Sequence, residues 1–268
     1  MGAGGQAWGG RRETQTRTKG VRGVRGCCGA APEWASWPVG LALHGALPVL
    51  NEHAVELAVR AALGLGCKVN PVSVFARKHY FYPDLPKGYQ ISQFDEPLCG
   101  PGNFGGVRIH RVHLEEDAAK LMHAGNSGRI QGSDTSVVDF NRGGTSLAEI
   151  VTEPDFRQAK HAAAFFGYLR ELLVSIGVND GNMEEGSLRC DANISVRRPG
   201  DPLGTKAEIK NLNSFRFLED AIDYEIARQQ DLIGPGERVV QETRLRDPAA
   251  KRPFSLRIQE EAHDYRFF

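Results

Sequence analysis

Apolar residues recur at helical spacing in three parts of the chain. The first stripe follows Asn51, a residue type favoured at helix N-caps. The second lies between a capping box predicted at Asp155 and Gln158 and a C-cap at Gly177, and the third follows Ser214. These stripes predict helices that pack on a core, and they imply no chemistry.

Alternation of apolar and polar residues predicts strands between the helices. Residues 136–142 predict a strand that enters a turn, and residues 98–106 predict a hairpin loop because they are rich in glycine and proline. Residues 186–197 and 206–211 predict an antiparallel hairpin. One face of its first strand is polar, and it either lines a cleft or is the exposed side of a half-buried sheet. This face carries Arg189, Asp191, Asn193, Ser195 and Arg197.

Two acidic elements lie within this pattern, at residues 112–117 and 147–155. Glu149 is part of an apolar run that predicts a strand buried on at least one face, and a buried carboxylate needs a partner. Glu116 is the candidate neighbour, because two carboxylates held together repel unless a cation or a proton lies between them. We therefore hypothesise a Mg²⁺ ion bound by Glu116 and Glu149.

The same acidic residues have a simpler interpretation as structural charges. Glu149 would then pair with an arginine such as Arg142, and residues 115–117 would form a solvated turn. Structural ion pairs are commoner in proteins than metal sites, so spacing alone favours this alternative. The metal hypothesis therefore needs support from elsewhere in the sequence.

Aromatic and basic residues alternate in the segment from Phe75 to Gln90. Aromatic rings beside lysine and arginine can stack on bases and hold phosphates, although the same pattern is typical of a strand and turn packed on a core. Lys78 stands between a predicted strand and the aromatic residues, where it would be partly desolvated and within reach of a phosphate. A solvated lysine is the simpler alternative.

Composition sets broad limits on the kind of protein. The chain has 268 residues, and its 33 basic and 33 acidic side chains give a formal net charge of zero, so no global positive field marks a nucleic-acid-binding protein. Its five cysteines are an odd number at low density, which suggests free thiols in a reducing compartment. No run of about 18 apolar residues occurs, so no membrane span is predicted.

Residues 1–36 differ from the rest of the chain. The part up to Gly26 is rich in glycine and arginine, contains one acidic residue, Glu13, and shows neither a helical nor a strand period. Such a segment cannot bury enough apolar surface to order itself, which predicts disorder. It is either an organellar transit peptide or sequence that does not belong to the domain, and its lack of an amphipathic helix favours the second.

A set of short motifs extends in order from residue 45 to residue 266. They are GALPVLN at 45–51, RK at 77–78, YFYPDLPKGYQIS at 80–92, HLEEDA at 113–118, EIVTEPD at 149–155, DGNMEEGSLRCDAN at 180–193, EIKNLNSF at 208–215, QETR at 241–244 and HDYR at 263–266. Each is weak by itself, but their order is highly specific. Together they resemble the B subunits of the Asp/Glu-tRNA(Asn/Gln) amidotransferases, the GatB/GatE family.

The resemblance implies an enzyme component that amidates glutamate or aspartate misacylated on tRNA. ATP would phosphorylate the side-chain carboxylate, and ammonia released from glutamine would then displace the phosphate. The ammonia would come from the amidase (A) partner, with the small (C) partner completing a heterotrimer, and no membrane would be involved. The implied compartment is the cytoplasm of a bacterium, or a mitochondrion or plastid in a eukaryote.

The resemblance also implies a fold and roles for single residues. Glu116 and Glu149 correspond to metal-binding glutamates and Lys78 to an active-site lysine, which now favours the metal hypothesis. Phosphoryl transfer depends on positioning and charge neutralisation, which Mg²⁺ and cationic side chains supply. The implied fold is α+β, an antiparallel sheet cradle with flanking helices over residues 37–268. The implied ATP contacts are Lys78, Arg189, Lys206 and Lys210.

The chain also departs from the family pattern. Residues 1–36 contain no Glu-x-His pair to complete the metal shell, the stretch Trp37-Pro-Val-Gly40 replaces a Cys-Pro-Val-Cys element, and Ala76 stands where an aspartate is usual. The domains that grip the tRNA would follow residue 268. These departures predict an incomplete subunit that holds its metal loosely. The alternative is a non-catalytic fragment that at most docks partners or tRNA.

Overall fold

The computed structural model describes residues 37–124, 135–184, 186–198, 200–212, 214–247, 252–258 and 265–267. In these ranges the chain forms helices α1 (Glu52–Gly64), α2 (Ala159–Ser175) and α3 (Phe215–Ile233), where the apolar stripes predict them. Phe140–Arg142 form a 3₁₀ turn. The expectation of disorder in residues 1–36 lies outside the described residues.

The strands of the described residues form four sheets. They are β1 (Ala76–His79), β2 (Tyr89–Ser92), β3 (Gly102–Phe104), β4 (Val107–Glu116), β5 (Lys120–Ala124), β6 (Thr135–Asp139), β7 (Ser146–Thr152), β8 (Cys190–Ile194), β9 (Ala207–Leu212), β10 (Glu242–Asp247), β11 (Arg252–Ile258) and β12 (Tyr265–Phe267). Their order is β12-β1-β2, β3-β4-β7, β5-β6 and β11-β10-β9-β8.

Neighbouring strands are antiparallel throughout these sheets, except that β9 and β10 run parallel. A parallel pair needs a crossover, and α3 supplies it between β9 and β10. The predicted hairpin of β8 and β9 is confirmed, with Ala192 opposite Ile209. The fold is therefore α+β, as expected, although one strand pair departs from a purely antiparallel cradle.

The core lies between the three helices and the buried faces of the sheets. Val112 and Leu114 of β4 turn their side chains into this core, at 0% and 2% exposure. Helix α2 lies between the other two helices in this core. It packs on α1 and also on α3, where the centroids of the Phe166 and Phe215 rings lie 5.5 Å apart. This packing fixes β4, whose opposite face can carry polar groups.

Two of the three predicted helix starts are confirmed in detail. The side chains of Asn51 and Ser214 accept hydrogen bonds from backbone N–H groups in the first turns of α1 and α3. The capping box predicted at Asp155 and Gln158 is wrong. Helix α2 begins after Gln158, whose side chain makes no capping hydrogen bond, and Asp155 instead binds Arg108. A long-range partner on β4 therefore replaces the local cap.

The carboxyl group of Asp155, which pairs with Arg108, titrates well below neutral pH. Hydrogen bonds from the side chain and backbone of Arg108 lower the pKa of Asp155 to about 2. A carboxylate with a depressed folded-state pKa adds stability above its unfolded pKa, near 4, and loses it as pH falls through the folded value. This ion pair therefore stabilises the fold at neutral pH and fails in strong acid.

We expect an NMR titration of the Asp155 carboxyl group to give a midpoint at about 2 in the unmutated chain. In Arg108→Ala the midpoint should rise towards that of an ordinary aspartate, because the guanidinium hydrogen bonds are lost. An unmutated midpoint near 4, the value of free aspartate, would show that the pair does not form in solution.

The cysteines of the described residues form no disulfide, as the cysteine count suggested. They are Cys67, Cys99 and Cys190. Burial raises the pKa of Cys67 and of Cys99 to about 11, so both are protonated core residues and poor nucleophiles. No helix within the described ranges has the length and apolar character needed to cross a membrane.

Candidate functional site

The candidate site lies on the antiparallel pair of β4 and β7. In their register His113 is opposite Glu149, and Glu115 is opposite Leu147. Residues directly opposite each other share a face of the sheet, and so do residues two apart on one strand. His113, Glu115 and Glu149 therefore project from one side, and their potential ligand atoms lie within 4.8 Å of one another.

This cluster combines one imidazole with two carboxylates. His113 Nε2 lies 3.6 Å from Glu149 Oε2 and 4.0 Å from Glu115 Oε2. On the other edge of the ring, Arg111 Nε donates a hydrogen bond of 3.4 Å to His113 Nδ1. The imidazole is 4% exposed, whereas the Glu149 side chain is 28% exposed. The cluster is thus anchored at His113 and open to solvent at Glu149.

Glu116 does not join this cluster. It follows Glu115 on β4, so strand alternation turns its side chain to the opposite face, where it forms a buried ion pair with Lys87. The expectation that Glu116 and Glu149 face one shared hollow is therefore wrong. Glu115 occupies the place beside Glu149 that the sequence assigned to its neighbour.

The structural alternative for the acidic residues is wrong in its details as well. Arg142 Nε lies 3.3 Å from Asp117 Oδ2, so the described carboxylate partner of this arginine is Asp117 and not Glu149. The acidic run is not a solvated turn, because β4 continues to Glu116. Glu116 and Asp117 are only 7% and 5% exposed.

Arg189 approaches the end of β4 from a distant part of the chain. It precedes β8, and its Nη2 atom lies 3.2 Å from Asp117 Oδ2. Burial opposes the charge on this guanidinium, but the carboxylates of Asp117, Asp191 and Glu115 together raise the pKa of Arg189 above its ordinary value. Arg189 is therefore a fixed positive charge beside the carboxylates of β4.

The two predicted ATP-binding lysines of the β9 region lie apart. Lys210 Nζ is 3.4 Å from Glu208 Oε1 and 3.9 Å from Asp191 Oδ2. Asp191 also raises the pKa of Arg189, so Arg189, Asp191, Glu208 and Lys210 form one polar surface, which we call the polar floor. Lys206 precedes β9 and is exposed, roughly 13 Å from Lys210 at the usual rise of a strand.

Lys78 lies on the hairpin formed by β1 and β2, where it is opposite Gln90. Gln90 Nε2 donates a hydrogen bond of 2.7 Å to the Glu116 carbonyl oxygen. Because residues directly opposite share a face, the half-buried Lys78 stands on the side of the hairpin that is turned to β4. The aromatic and basic segment thus forms a strand, a turn and a second strand, and within it Phe81 and Tyr82 are exposed while Leu85 is buried. Its hairpin carries Lys78 towards the end of β4.

His113 and Glu115 are the functional candidates that sequence reasoning missed. Their signal was the period of two in the stretch from Val112 to Glu116, which places His113 and Glu115 on one face and Leu114 and Glu116 on the other. The motif HLEED was treated as an acidic block, so the alternation within it was not used.

Two carboxylates and one imidazole at this separation fit a divalent cation. Carboxylate oxygens suit Mg²⁺ and Mn²⁺, and imidazole is a common additional ligand. The fixed charge of Arg189 stands beside the cluster, and Lys210 lies on the adjoining polar floor. A cation site flanked by such charges is suited to binding the phosphates of a nucleotide.

Comparison with known proteins identifies the family of the chain. A family model described as the GatB/GatE catalytic domain matches residues 13–268. The chain is 53% identical over 262 residues to the B subunit of the aspartyl/glutamyl-tRNA(Asn/Gln) amidotransferase of Anaeromyxobacter dehalogenans strain 2CP-1, covering 94% of this chain and 53% of that protein.

Two further relatives have the same name. The protein of Geotalea daltonii is 50% identical over 265 residues, covering 96% of this chain and 55% of its own length. The protein of Myxococcus xanthus is 50% identical over 262 residues, with 94% and 53% covered. The chain therefore spans about half the length of the curated relatives it matches.

Proposed function

Because the chain belongs to the GatB/GatE catalytic domain family, we propose that it carries the phosphoryl-transfer site of an Asp/Glu-tRNA(Asn/Gln) amidotransferase. A side-chain carboxylate oxygen of misacylated glutamate or aspartate attacks the γ-phosphorus of ATP, and ADP leaves. Ammonia then attacks the acyl carbon, inorganic phosphate leaves, and an amide remains. The names of the relatives support this substrate class. The observation that carries the proposal is the cluster of His113, Glu115 and Glu149.

His113, Glu115 and Glu149 would hold the Mg²⁺ ion that the sequence led us to expect, with Glu115 in place of Glu116. His113 would bind it through Nε2 with the proton on Nδ1, so the Arg111 contact at Nδ1 would be given up when the ion binds. When bound, the ion neutralises charge on the phosphate oxygens. The three side chains leave coordination positions for water and phosphate. Glu149 is more exposed than Glu115, at 28% against 12%, so its carboxylate borders the side from which a nucleotide would approach.

The positive charges around the cluster would bind the phosphates of ATP. Arg189 is held by Asp117 and stays charged although it is partly buried, because three carboxylates raise its pKa. Lys210 lies between Glu208 and Asp191, so it would have to exchange one of these partners for a phosphate. Lys78 would approach from the hairpin of β1 and β2. Lys206 would contact this nucleotide only if the nucleotide extended along β9.

The proposed partners are those of a multi-subunit amidotransferase. The relatives are named as one component of such a complex, and we take the others to be the amidase, which releases ammonia, and the small third protein of the heterotrimer. The remaining partner is tRNA misacylated with glutamate or aspartate. The bacterial origin of the named relatives supports a bacterial cytoplasm as the compartment.

The test is ATP turnover by the chain together with the amidase and the small third protein, Mg²⁺, glutamine and misacylated tRNA. We expect ADP and amidated aminoacyl-tRNA to form in equal amounts, because one ATP is consumed for each amide. Correctly charged Gln-tRNA is the matched control, since it offers no carboxylate and should not stimulate turnover. If no ADP forms under any condition, the proposed activity fails, and a non-catalytic docking module, detectable by co-elution with the partners, takes its place.

A further inference from the structure

We propose, on the basis of the function above, that Glu116 is a positioning residue which ties the hairpin of β1 and β2, and with it Lys78, to the strand that carries the metal cluster. Glu116 directly follows Glu115 but points to the opposite face of β4. It thus acts on the far side of the strand from the cluster. Its partners come from the hairpin of β1 and β2.

Three contacts join Glu116 to the hairpin. Its carboxylate forms an ion pair with Lys87, which lies in the turn between β1 and β2. The Ile91 backbone N–H donates a hydrogen bond of 2.8 Å to Glu116 Oε1. Gln90 Nε2 donates one of 2.7 Å to the Glu116 carbonyl oxygen. One residue therefore contacts the turn and two successive positions of β2.

The ion pair is buried and well supported. The side chains of Lys87 and Glu116 are 5% and 10% exposed. Lys87 Nζ also lies 5.1 Å from the centroid of the Tyr89 ring, in the geometry of a cation–π contact. Losing one partner of a buried pair is far more costly than losing an exposed one, because the other charge is left uncompensated. The contact therefore holds the hairpin in one place on β4.

The contacts between β2 and β4 depend on side chains, because these two strands belong to different sheets. Strand β2 is in sheet β12-β1-β2, and β4 is in sheet β3-β4-β7. Besides Glu116, the described residues supply Gln93, whose Oε1 accepts a hydrogen bond of 3.0 Å from the Leu114 backbone N–H. Lys78 is opposite Gln90, so a shift of β2 relative to β4 would move Lys78 relative to the cluster. The Glu116 contacts oppose that shift.

The test separates a positioning role from direct metal binding, using Mn²⁺ alone as the probe and the full chain as the protein. Glu116→Gln should leave the Mn²⁺ dissociation constant within about twofold, while Glu115→Gln should weaken binding by about a hundredfold or more, since even outer-shell losses cost about 10- to 100-fold. Glu153→Gln is the matched control, because Glu153 binds His110 on the same strand pair at 2.7 Å. If Glu116→Gln weakens Mn²⁺ binding as much as Glu115→Gln does, Glu116 is a ligand and the proposal is overturned.

Hydrogen exchange at the Ile91 amide reports on the contact between Glu116 and β2, and it needs no activity assay. Glu116→Ala removes the acceptor of that N–H, so exchange should accelerate by about tenfold or more, whereas Glu153→Ala should leave it unchanged. Unchanged protection in Glu116→Ala would overturn the proposal. If Glu116→Ala does not fold, the double variant Lys87→Met and Glu116→Gln removes both buried charges. This variant should keep the affinity for Mn²⁺ of the unmutated chain, and weaker binding would overturn the proposal.

The full complex supplies a third measurement. In Glu116→Gln, kcat for ATP turnover should fall by about 10- to 100-fold while the Mg²⁺ concentration for half-maximal rate stays constant. An unchanged kcat would overturn the positioning role. If the unmutated complex shows no turnover, the proposed function fails. Hydrogen exchange at Ile91 still decides whether Glu116 holds β2 against β4.

Discussion

Replacing Glu149 by glutamine is expected to weaken the binding of Mn²⁺ or Mg²⁺ by about a hundredfold or more, since loss of an outer-shell partner alone costs about 10- to 100-fold. The amide has nearly the shape of the carboxylate but carries no charge, and hard cations depend on charged oxygen ligands. Glu149 is opposite His113 and is the more open of the two glutamates in the cluster, so the substitution leaves the core unchanged.

Isothermal titration of the full chain with Mn²⁺ gives the affinity directly, and ATP turnover in the complex should fall in parallel. Glu171→Gln is a matched control, because this exposed glutamate lies on α2 and does not belong to the cluster of His113, Glu115 and Glu149. The metal site is misplaced if Glu149→Gln binds Mn²⁺ as tightly as the unmutated chain does. A loss of Mn²⁺ binding in Glu171→Gln would point to an indirect effect on folding.

Replacing Glu225 by alanine is expected to lower the free energy of unfolding by about 3–5 kcal/mol, the usual effect of removing one partner of a buried ion pair. Glu225 lies on α3 and is 0% exposed. Its carboxylate accepts hydrogen bonds from Arg228 at 2.6 and 2.9 Å and from Gln229 at 2.8 Å, and Arg244 Nε lies 3.4 Å away. Without it, Arg228 loses its nearest counter-charge, and Arg244 keeps only Glu242 of its two carboxylate partners.

Urea unfolding followed by circular dichroism measures this loss. Glu56→Ala is the control, because Glu56 also pairs with an arginine on a helix, Arg60 at 2.9 Å, but in an exposed place. Its unfolding midpoint should barely change, since exposed ion pairs contribute little. Equal effects of the two substitutions would show that the Glu225 network is solvated and contributes no more than a surface pair.

The same network connects α3 to β10, the strand that runs parallel to β9. Arg244 and Glu242 belong to β10 and form an ion pair at 2.6 Å, and Arg228 Nη2 lies 3.3 Å from Glu242. These contacts hold β10 against α3 at the end of its crossover. The motif QETR was recognisable in the sequence, but nothing in its spacing identified Glu225 as the partner, because that contact joins residues of a helix and a distant strand.

The main error in the site predicted from the sequence was the choice of Glu116 over Glu115, which ignored the alternation of side chains along β4. Glu149 is opposite His113 of β4, Arg189 contacts Asp117 just after β4, and Lys78 is on the hairpin of β1 and β2; the roles assigned to these three residues stay predictions. Glu116 was assigned to the metal because the two adjacent glutamates are chemically identical and a motif match does not tell which of them faces the site. The register of β4 on β7 places Glu115, and not Glu116, on the face that carries Glu149, since only one of two neighbouring residues can share that face, and our proposal therefore uses Glu115.

Local spacing in the chain was enough to place the three helices, the N-caps at Asn51 and Ser214, and the hairpin of β8 and β9, because each depends on residues a few positions apart. The order of the short motifs was likewise enough to identify the family. The partner of Asp155, the face of Glu116 and the counter-charge of Glu225 depend on contacts between residues distant along the chain. No local period encodes such contacts, because strand register and packing are set by the whole core at once, and there a shift of one residue reverses every side chain.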